Sequence, residues 1–320
     1  MHTSFEVTQA QGLMLDFSPG LGELGGLGAA LCWSISTIVW GFVPLSAVGI
    51  NAAKNLFGAL MLLLHVLVLA WVLEVEPFSA SPESWGWLAA SGLTGIVIGD
   101  TCFFRSLQLL RPRKALMVAS SSPVFAALLM MFIQRTPIAP LAVLGILLVV
   151  AGVMMVVADR PRRGKHRQAP ESLDRQTIAT GLLLGLAGAF FQALGGMLSQ
   201  RGMQDCGTVE ASFIRIATSA VILGIWFRYR CVLKSNLRQI FQFKALRLIL
   251  PATAMGTWLG IWLSQVAFKE TSLAIAQTLL ATSPLFAIPT AYFVLRERVH
   301  TWGYVGTVLG LLGIYLVVAE

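Results

Sequence analysis

Ser122-Pro123-Val124-Phe125-Ala126 returns 161 residues later as Ser283-Pro284-Leu285-Phe286-Ala287. At the same offset, without a gap, Arg135 falls on Arg296, Gly145 on Gly306, Gly152 on Gly313, and Val156-Val157-Ala158 on Val317-Val318-Ala319. Extended back to Leu93, the overlay spans 67 positions with fifteen identities, Gly95/Gly256 and Gly99/Gly260 among them. One unit is therefore present twice. Duplicated units in an apolar chain are how many membrane carriers are built.

The composition says what solvent surrounds the unit. Of 320 residues, 56% are hydrophobic and 12% charged, and mean hydropathy is +0.76. A soluble domain carries about 25% charged residues, so lipid must cover most of this exterior. Alternating ten-residue strands of the barrel type are missing. The fold class is an all-α polytopic membrane protein. Cys32, Cys102, Cys206 and Cys231 are scattered, with no metal-ligand or redox spacing. A net charge of +8 would point to nucleic acid in a soluble protein. Here the basic residues sit between apolar runs, where they report topology instead, and no nucleic-acid partner is expected.

Ten apolar runs read as spans, at 24–43, 51–73, 85–110, 115–133, 138–158, 178–199, 209–227, 246–268, 271–295 and 301–319. Residues 1–20 read as a polar tail without the basic start of a cleaved signal peptide. The first repeat occupies 21–158, a basic linker 159–177, and the second repeat 178–320. Five spans per copy force the second copy to enter the membrane upside down relative to the first. The loops after spans 3, 5, 7 and 9 hold 17 of the 23 Lys and Arg residues. The positive-inside rule places those loops in the cytoplasm and both termini outside.

Gly145 and Gly152, matched by Gly306 and Gly313, form seven-residue stripes that let helix backbones approach closely. Pro123 and Pro284 fall inside spans 4 and 9 and disrupt the hydrogen bonds to Ala119 and Leu280. Ser120, Ser121 and Ser122 in one copy, and Thr282 and Ser283 in the other, can satisfy the freed backbone. Equivalent broken helices in two repeats point to a midplane binding site.

Asp100 is the sharpest polar residue. It lies about 15 Å along the helix from the basic end of span 3, where a carboxylate is costly and faces a cavity or a partner. Two roles stay open: a proton-coupling or substrate-binding acid, or a structural partner for Lys54 or Arg105. Lys54 and Arg215 overlay in spans 2 and 7 at the repeat offset. Lys54 is near enough to a helix end to snorkel; Arg215 is too deep for that. Trp33, Thr37, Phe104, Ser120, Gln192, Trp258, Trp262, Gln265 and Gln277 complete the candidate solute path. Trp258, Trp262 and Gln265 share one helix face by spacing. Aromatics with amides suit an amphipathic organic solute, although helix packing explains each of them individually.

These features give the chain a resemblance to the drug/metabolite transporter superfamily in its ten-helix EamA type. The resemblance rests on the two five-span repeats and on Ser283-Pro284-Leu285-Phe286-Ala287-Ile288-Pro289 followed by Leu295-Arg296-Glu297-Arg298. It rests also on the glycine-spaced helix closing each repeat, and on Gly99-Asp100 followed by Phe103-Phe104 in span 3. It implies a carrier of small metabolites or drugs working by alternating access, often as an exporter in the inner membrane, with a cavity lined by spans 1, 3, 4, 6, 8 and 9. Glu297 keeps the family's acidic residue after span 9, whereas Thr136 stands at the equivalent place in the first copy. The family habit of cytoplasmic termini conflicts with the charge count.

The leading expectation is a secondary transporter of small organic solutes such as amino acids or drugs, with protons as a possible coupling ion. No Walker-type loop is present for ATP, no enzyme activity is expected, and neither cofactor nor metal is called for. A cation or divalent-metal carrier or channel is the alternative, weakened by the scarcity of acids inside spans. A membrane-embedded enzyme, lacking clustered acids or histidines, ranks below it.

Overall fold

The computed structural model describes residues 20–74, 76–110, 112–135, 137, 140–158, 174–231, 233–286 and 301–318. Residues 159–173 of the linker, the Leu295-Arg296-Glu297-Arg298 run, Thr136 and both termini lie outside them. The described residues form helices and no strand. In chain order these are α1 (Leu21–Trp40), α2 (Ala47–Leu73), α3 (Pro82–Leu110), α4 (Pro112–Ala119), α5 (Ser122–Gln134) and α6 (Pro140–Ala158). The second half gives α7 (Arg175–Gly202), α8 (Thr208–Tyr229), α9 (Leu233–Ile240), α10 (Phe243–Glu270), α11 (Leu273–Leu280) and α12 (Thr301–Val318).

Six of these, α1, α2, α3, α7, α8 and α10, are long and apolar enough to cross a bilayer. The other four apolar stretches, Ser122–Gln134, Pro140–Gly152, Leu273–Phe286 and Tyr304–Gly313, are shorter. Helix starts are set by short polar side chains. Ser46, Ser81, Asp174 and Ser272 each accept the backbone N–H three residues on, satisfying a donor that the helix leaves orphaned.

Burial is inverted relative to a soluble protein. Trp71 is 82% exposed and Phe132 72%, while Asn51, Asn55, Ser34 and Gln265 are at 0%. Apolar side chains face outward where lipid would lie, and polar side chains face inward onto one another.

Contacts between elements follow the repeat. α1 packs on α10 and α3 on α7, each pair the counterpart of the other; α2 meets α8, α5 meets α11, and α6 meets α12. The α6–α12 seam shows the relation atom by atom. A methyl group added to Gly152 would sit 2.5 Å from the Gly306 oxygen and 2.5 Å from the Gly310 nitrogen. Added to Gly313, it would sit 2.6 Å from the Gly145 oxygen and 2.7 Å from the Val149 nitrogen. Position 313 is 152 shifted by 161, and 306 and 310 are 145 and 149 shifted alike, so the contact is reciprocal. As one helix index rises the other falls: the two helices run antiparallel.

The prolines do not kink a continuous helix; each starts a new one. α4 ends at Ala119, Ser120 and Ser121 form a turn, and α5 begins with Pro123 in its first turn. The turn's backbone bonds are Ser120 N to Leu116 O, Ser121 N to Val118 O, and Val124 N to Ser121 O. The second copy repeats them as Ala281 N to Gln277 O, Thr282 N to Leu279 O, and Leu285 N to Thr282 O. The carbonyl released by Pro284, on Leu280, accepts the Ser283 hydroxyl at 2.8 Å. In the first copy Ser122 turns elsewhere, donating to Gln277 Oε1 at 3.1 Å.

Candidate functional site

Between the two broken turns lies a cavity of about 130 Å³. Ser120 and Ser122 reach it from one break, Ala281, Ser283 and Pro284 from the other. α1 contributes Trp33, Ser36, Thr37 and Trp40; α3 contributes Asp100, Phe103 and Phe104; α7 contributes Gln192; and α10 contributes Thr257, Ile261, Ser264 and Phe268. Lys54 of α2, Arg215 of α8 and Gln277 of α11 complete its polar wall.

Asp100 sits where α3 leaves a π-helical stretch, Gly92–Asp100. The counterpart in α10 is π-helical as well, over Ala254–Leu259. Widened turns of this kind occur frequently at functional sites. Each oxygen of the Asp100 carboxylate has a partner: Oδ2 meets Lys54 Nζ at 2.8 Å, and Oδ1 accepts Gln192 Nε2 at 2.7 Å. Lys54 in turn donates to Asn55 Oδ1 at 3.0 Å, and Asn55 donates to Asn51 Oδ1 at 3.0 Å. Asn51 Nδ2 closes the network on the Ile96 carbonyl and Thr101 Oγ1, at 2.8 and 2.9 Å. Lys54 therefore does not snorkel. It is 4% exposed and held inside by its acid. Arg105 is not the partner of Asp100; it reaches toward Gln108 at the exposed end of α3.

Arg215 is the odd member. It is 2% exposed and lines the cavity, yet its Nε and Nη1 are buried without a hydrogen bond. A methyl group on Gly95 would come within 3.5 Å of its Nη2 and 3.6 Å of Gln192 Oε1. Lys54–Asp100 is the only ion pair among the described residues.

Of the path residues expected from sequence, Trp33, Thr37, Phe104, Ser120, Gln192 and Gln277 line the cavity with Asp100, Lys54, Arg215 and Pro284. Trp258, Trp262 and Gln265 do not. The two tryptophans pack edge-on against His65 of α2, with ring centroids 5.8 and 4.9 Å away. Trp262 Nε1 donates to Thr208 Oγ1, and Gln265 pairs with Ser199 of α7. The cavity face of α10 is the adjacent one, with Thr257, Ile261, Ser264 and Phe268 at helical spacing. Pro123 is buried beside the cavity without lining it.

At the end of the bundle away from the basic loops, hydrogen bonds tie neighbouring elements together. Glu210, at the start of α8, accepts the Ser79 amide and hydroxyl and the Ala80 amide at 2.9 to 3.0 Å. Asp205 accepts the Ser81 amide, Lys269 Nζ donates to the Cys206 carbonyl, and Gln200 donates to the carbonyls of Phe268 and Thr271. The hydroxyls of Ser81 and Ser84, with the Ser81 amide, hold the Asp205 carboxyl below the usual carboxylate range. Burial, reinforced by the charges of Glu210 and Asp205, pushes the Cys206 thiol up to about 12.

The model of the EamA-like transporter family matches residues 20–158 and again residues 179–319. The chain belongs to the EamA-like transporter family. As a member it is an integral, multi-pass membrane protein that carries small solutes. No curated protein matches the sequence as a relative. One of 29 matching chains among solved structures, described only as "Crystal structure of protein", is 16% identical. It covers 93% of this chain and 96% of its own, with a TM-score of 0.67, a likeness of fold. The two family matches coincide with the halves that meet at the cavity, so the site of this EamA-like transporter is assembled from both copies. Ser36, Trp40, Phe103, Ser264 and Phe268 belong to its wall and were not singled out from sequence. Phe103, next to Phe104, and Ser264, next to Gln265, were each one position from residues that were.

Proposed function

We propose that this protein is a secondary carrier that moves small organic solutes through the cavity between its repeats by alternating access. The observation that carries the reading is a cavity between two equivalent helix breaks whose mostly apolar wall carries charged and polar groups from both halves. A solute there would be held by groups from both halves at once. Rocking one half against the other would then expose it to one side of the membrane or the other.

The finer picture has ten crossings in two inverted halves. The antiparallel run of α6 against α12 supports it, because equivalent helices of opposite sense require a two-fold axis in the membrane plane. The charge bias puts the basic loops in the cytoplasm. The end tied by Glu210 and Asp205 is then the outer face, closed in this conformation, and export would require those ties to open. Asp100 is the candidate for coupling to protons, because protonation would release Lys54 from its 2.8 Å contact.

Flux into proteoliposomes tests the carrier reading. Uptake of radiolabelled aromatic and aliphatic solutes should saturate, show trans-stimulation, and fall at least tenfold when Ser120→Trp fills the cavity. Flux that stays linear with concentration and survives that substitution contradicts it. Reporter fusions after Glu320 test the orientation: the charge bias requires activity of a periplasmic reporter only.

A further inference from the structure

We propose that the transported solute is an organic monoanion whose carboxylate docks on Arg215. The inference rests on the carrier reading and adds the chemical class of its cargo.

The argument starts from the repeat. Lys54 and Arg215 are the same position in the two copies, 161 residues apart. Lys54 has a carboxylate beside it because Asp100 stands at position 100. The equivalent position for Arg215 holds Ile261. The second copy thus keeps the cation and lacks the acid. A buried guanidinium with no acid at salt-bridge distance is costly, and this one leaves Nε and Nη1 without a hydrogen bond. It also lines the cavity, with Ile261 on the same wall.

Charge within the cavity points the same way. Its charged lining is Lys54, Asp100 and Arg215, two cations and one carboxylate. Asp100 is neutralised by Lys54 and hydrogen-bonded by Gln192, so each of its oxygens already has one partner and its charge is matched within the protein. The cavity is one negative charge short. A guanidinium edge offers two parallel N–H donors, the geometry that a carboxylate accepts as a pair. Part of the remaining wall is aromatic. Trp33 is fixed by its indole N–H to the Gly256 carbonyl at 2.9 Å, and Trp40, Phe104 and Phe268 are buried around the void. Such a wall suits a flat apolar body behind the anionic head.

The test uses three probes with one ring and three charges: phenylacetate, phenylacetamide and phenethylamine. The full chain in detergent is melted with each at saturating concentration, and flux into proteoliposomes at pH 8 is measured above protein-free vesicles. Phenylacetate alone should raise the Tm, and its flux should exceed that of the amide at least tenfold. Arg215→Met should raise the Tm of the unliganded protein, by removing an unpaired buried charge, and abolish the response to phenylacetate. Arg215→Lys keeps the charge without the paired donors and should retain only part of the response. The proposal is overturned if the amide or the amine acts as strongly as the acid, or if Arg215→Met responds fully to phenylacetate. It is likewise overturned if none of the probes has any effect, or if inorganic phosphate acts and phenylacetate does not. Flux of the amide or amine without preference for the acid removes the anion site and leaves the carrier. Stabilisation by phenylacetate without saturable flux removes the carrier and leaves the anion site.

Discussion

Ser120 donates a hydrogen bond of 3.1 Å to the carbonyl of Ala281, the residue that stands in its own place 161 positions later. Two copies of one position touch only where the relation that exchanges the copies passes between them. On the inverted-repeat reading, the local two-fold axis runs through the paired helix breaks and the cavity beside them. Residues on that axis serve both halves, while those away from it can diverge, as Asp100 and Ile261 have.

Restoring the lost acid should be informative. Ile261→Asp places a carboxylate on the Arg215 side of the axis, as Asp100 stands to Lys54. A hydrogen-bonded partner for that charge is worth on the order of 2 kcal/mol. The variant should melt higher than the parent and lose solute flux, because its own side chain occupies the guanidinium. Thermal unfolding and flux on the same preparation check it.

The Lys54–Asp100 pair should behave as a buried ion pair. Removing one partner strands the other, at a cost of about 3–5 kcal/mol. Lys54→Met and Asp100→Leu should each lower the Tm strongly. The double variant should recover much of the loss, because no charge is left uncompensated. A thermodynamic cycle on the four proteins measures the coupling; strictly additive effects would contradict it.

The seam between α6 and α12 sets a steric prediction. Gly152→Ala and Gly313→Ala both force a methyl group into backbone of the opposite helix, and overpacking of this kind costs about 1–3 kcal/mol. Because the contact is reciprocal, the two losses should match. Gly224→Ala, in α8 with nothing within 4 Å of the added carbon, should cost nothing. Thermal melts of the three variants compare them directly.

Asp205 makes the tied end sensitive to pH. Its carboxyl is held below the usual range by the Ser81 hydroxyl first, then by that of Ser84. The stabilisation is complete above the unfolded carboxylate value, about 3.9, and is lost as pH falls through the lower folded value. Acidification should therefore loosen residues 78–81, read as faster hydrogen exchange there than in α2. Asp205→Asn should remove that acid-dependent step.

Much of this was legible in the sequence because the repeat is a matter of spacing. The glycine stripes, the paired prolines and the overlay of Lys54 on Arg215 come from counting, and spacing survives folding. The depth of Arg215 was readable too, since no helix end lies within reach of it. What spacing could not give was rotation about a helix axis. Trp258 and Trp262 do share a face, but it turns to His65 rather than to the cavity. The π-helical stretch over Ala254–Leu259 contains Trp258 and precedes Trp262, and it changes the angular phase that a regular helix would have. Nothing in Ala254-Met255-Gly256-Thr257-Trp258-Leu259 announces a widened turn. Lys54 was legible in part: the sequence offered it both as a snorkelling cation and as a partner for Asp100, 46 positions away, and the two lie 2.8 Å apart.

The glycine seam between α6 and α12 also bears on ancestry. A patch that meets its own likeness is what an isologous homodimer uses, so one half-length polypeptide would once have sufficed, inserted in both senses and pairing with itself. Fusion into a single gene would keep that handshake and free each half to specialise. Two fragments cut within 159–173 and co-expressed retain the surfaces needed to find each other again.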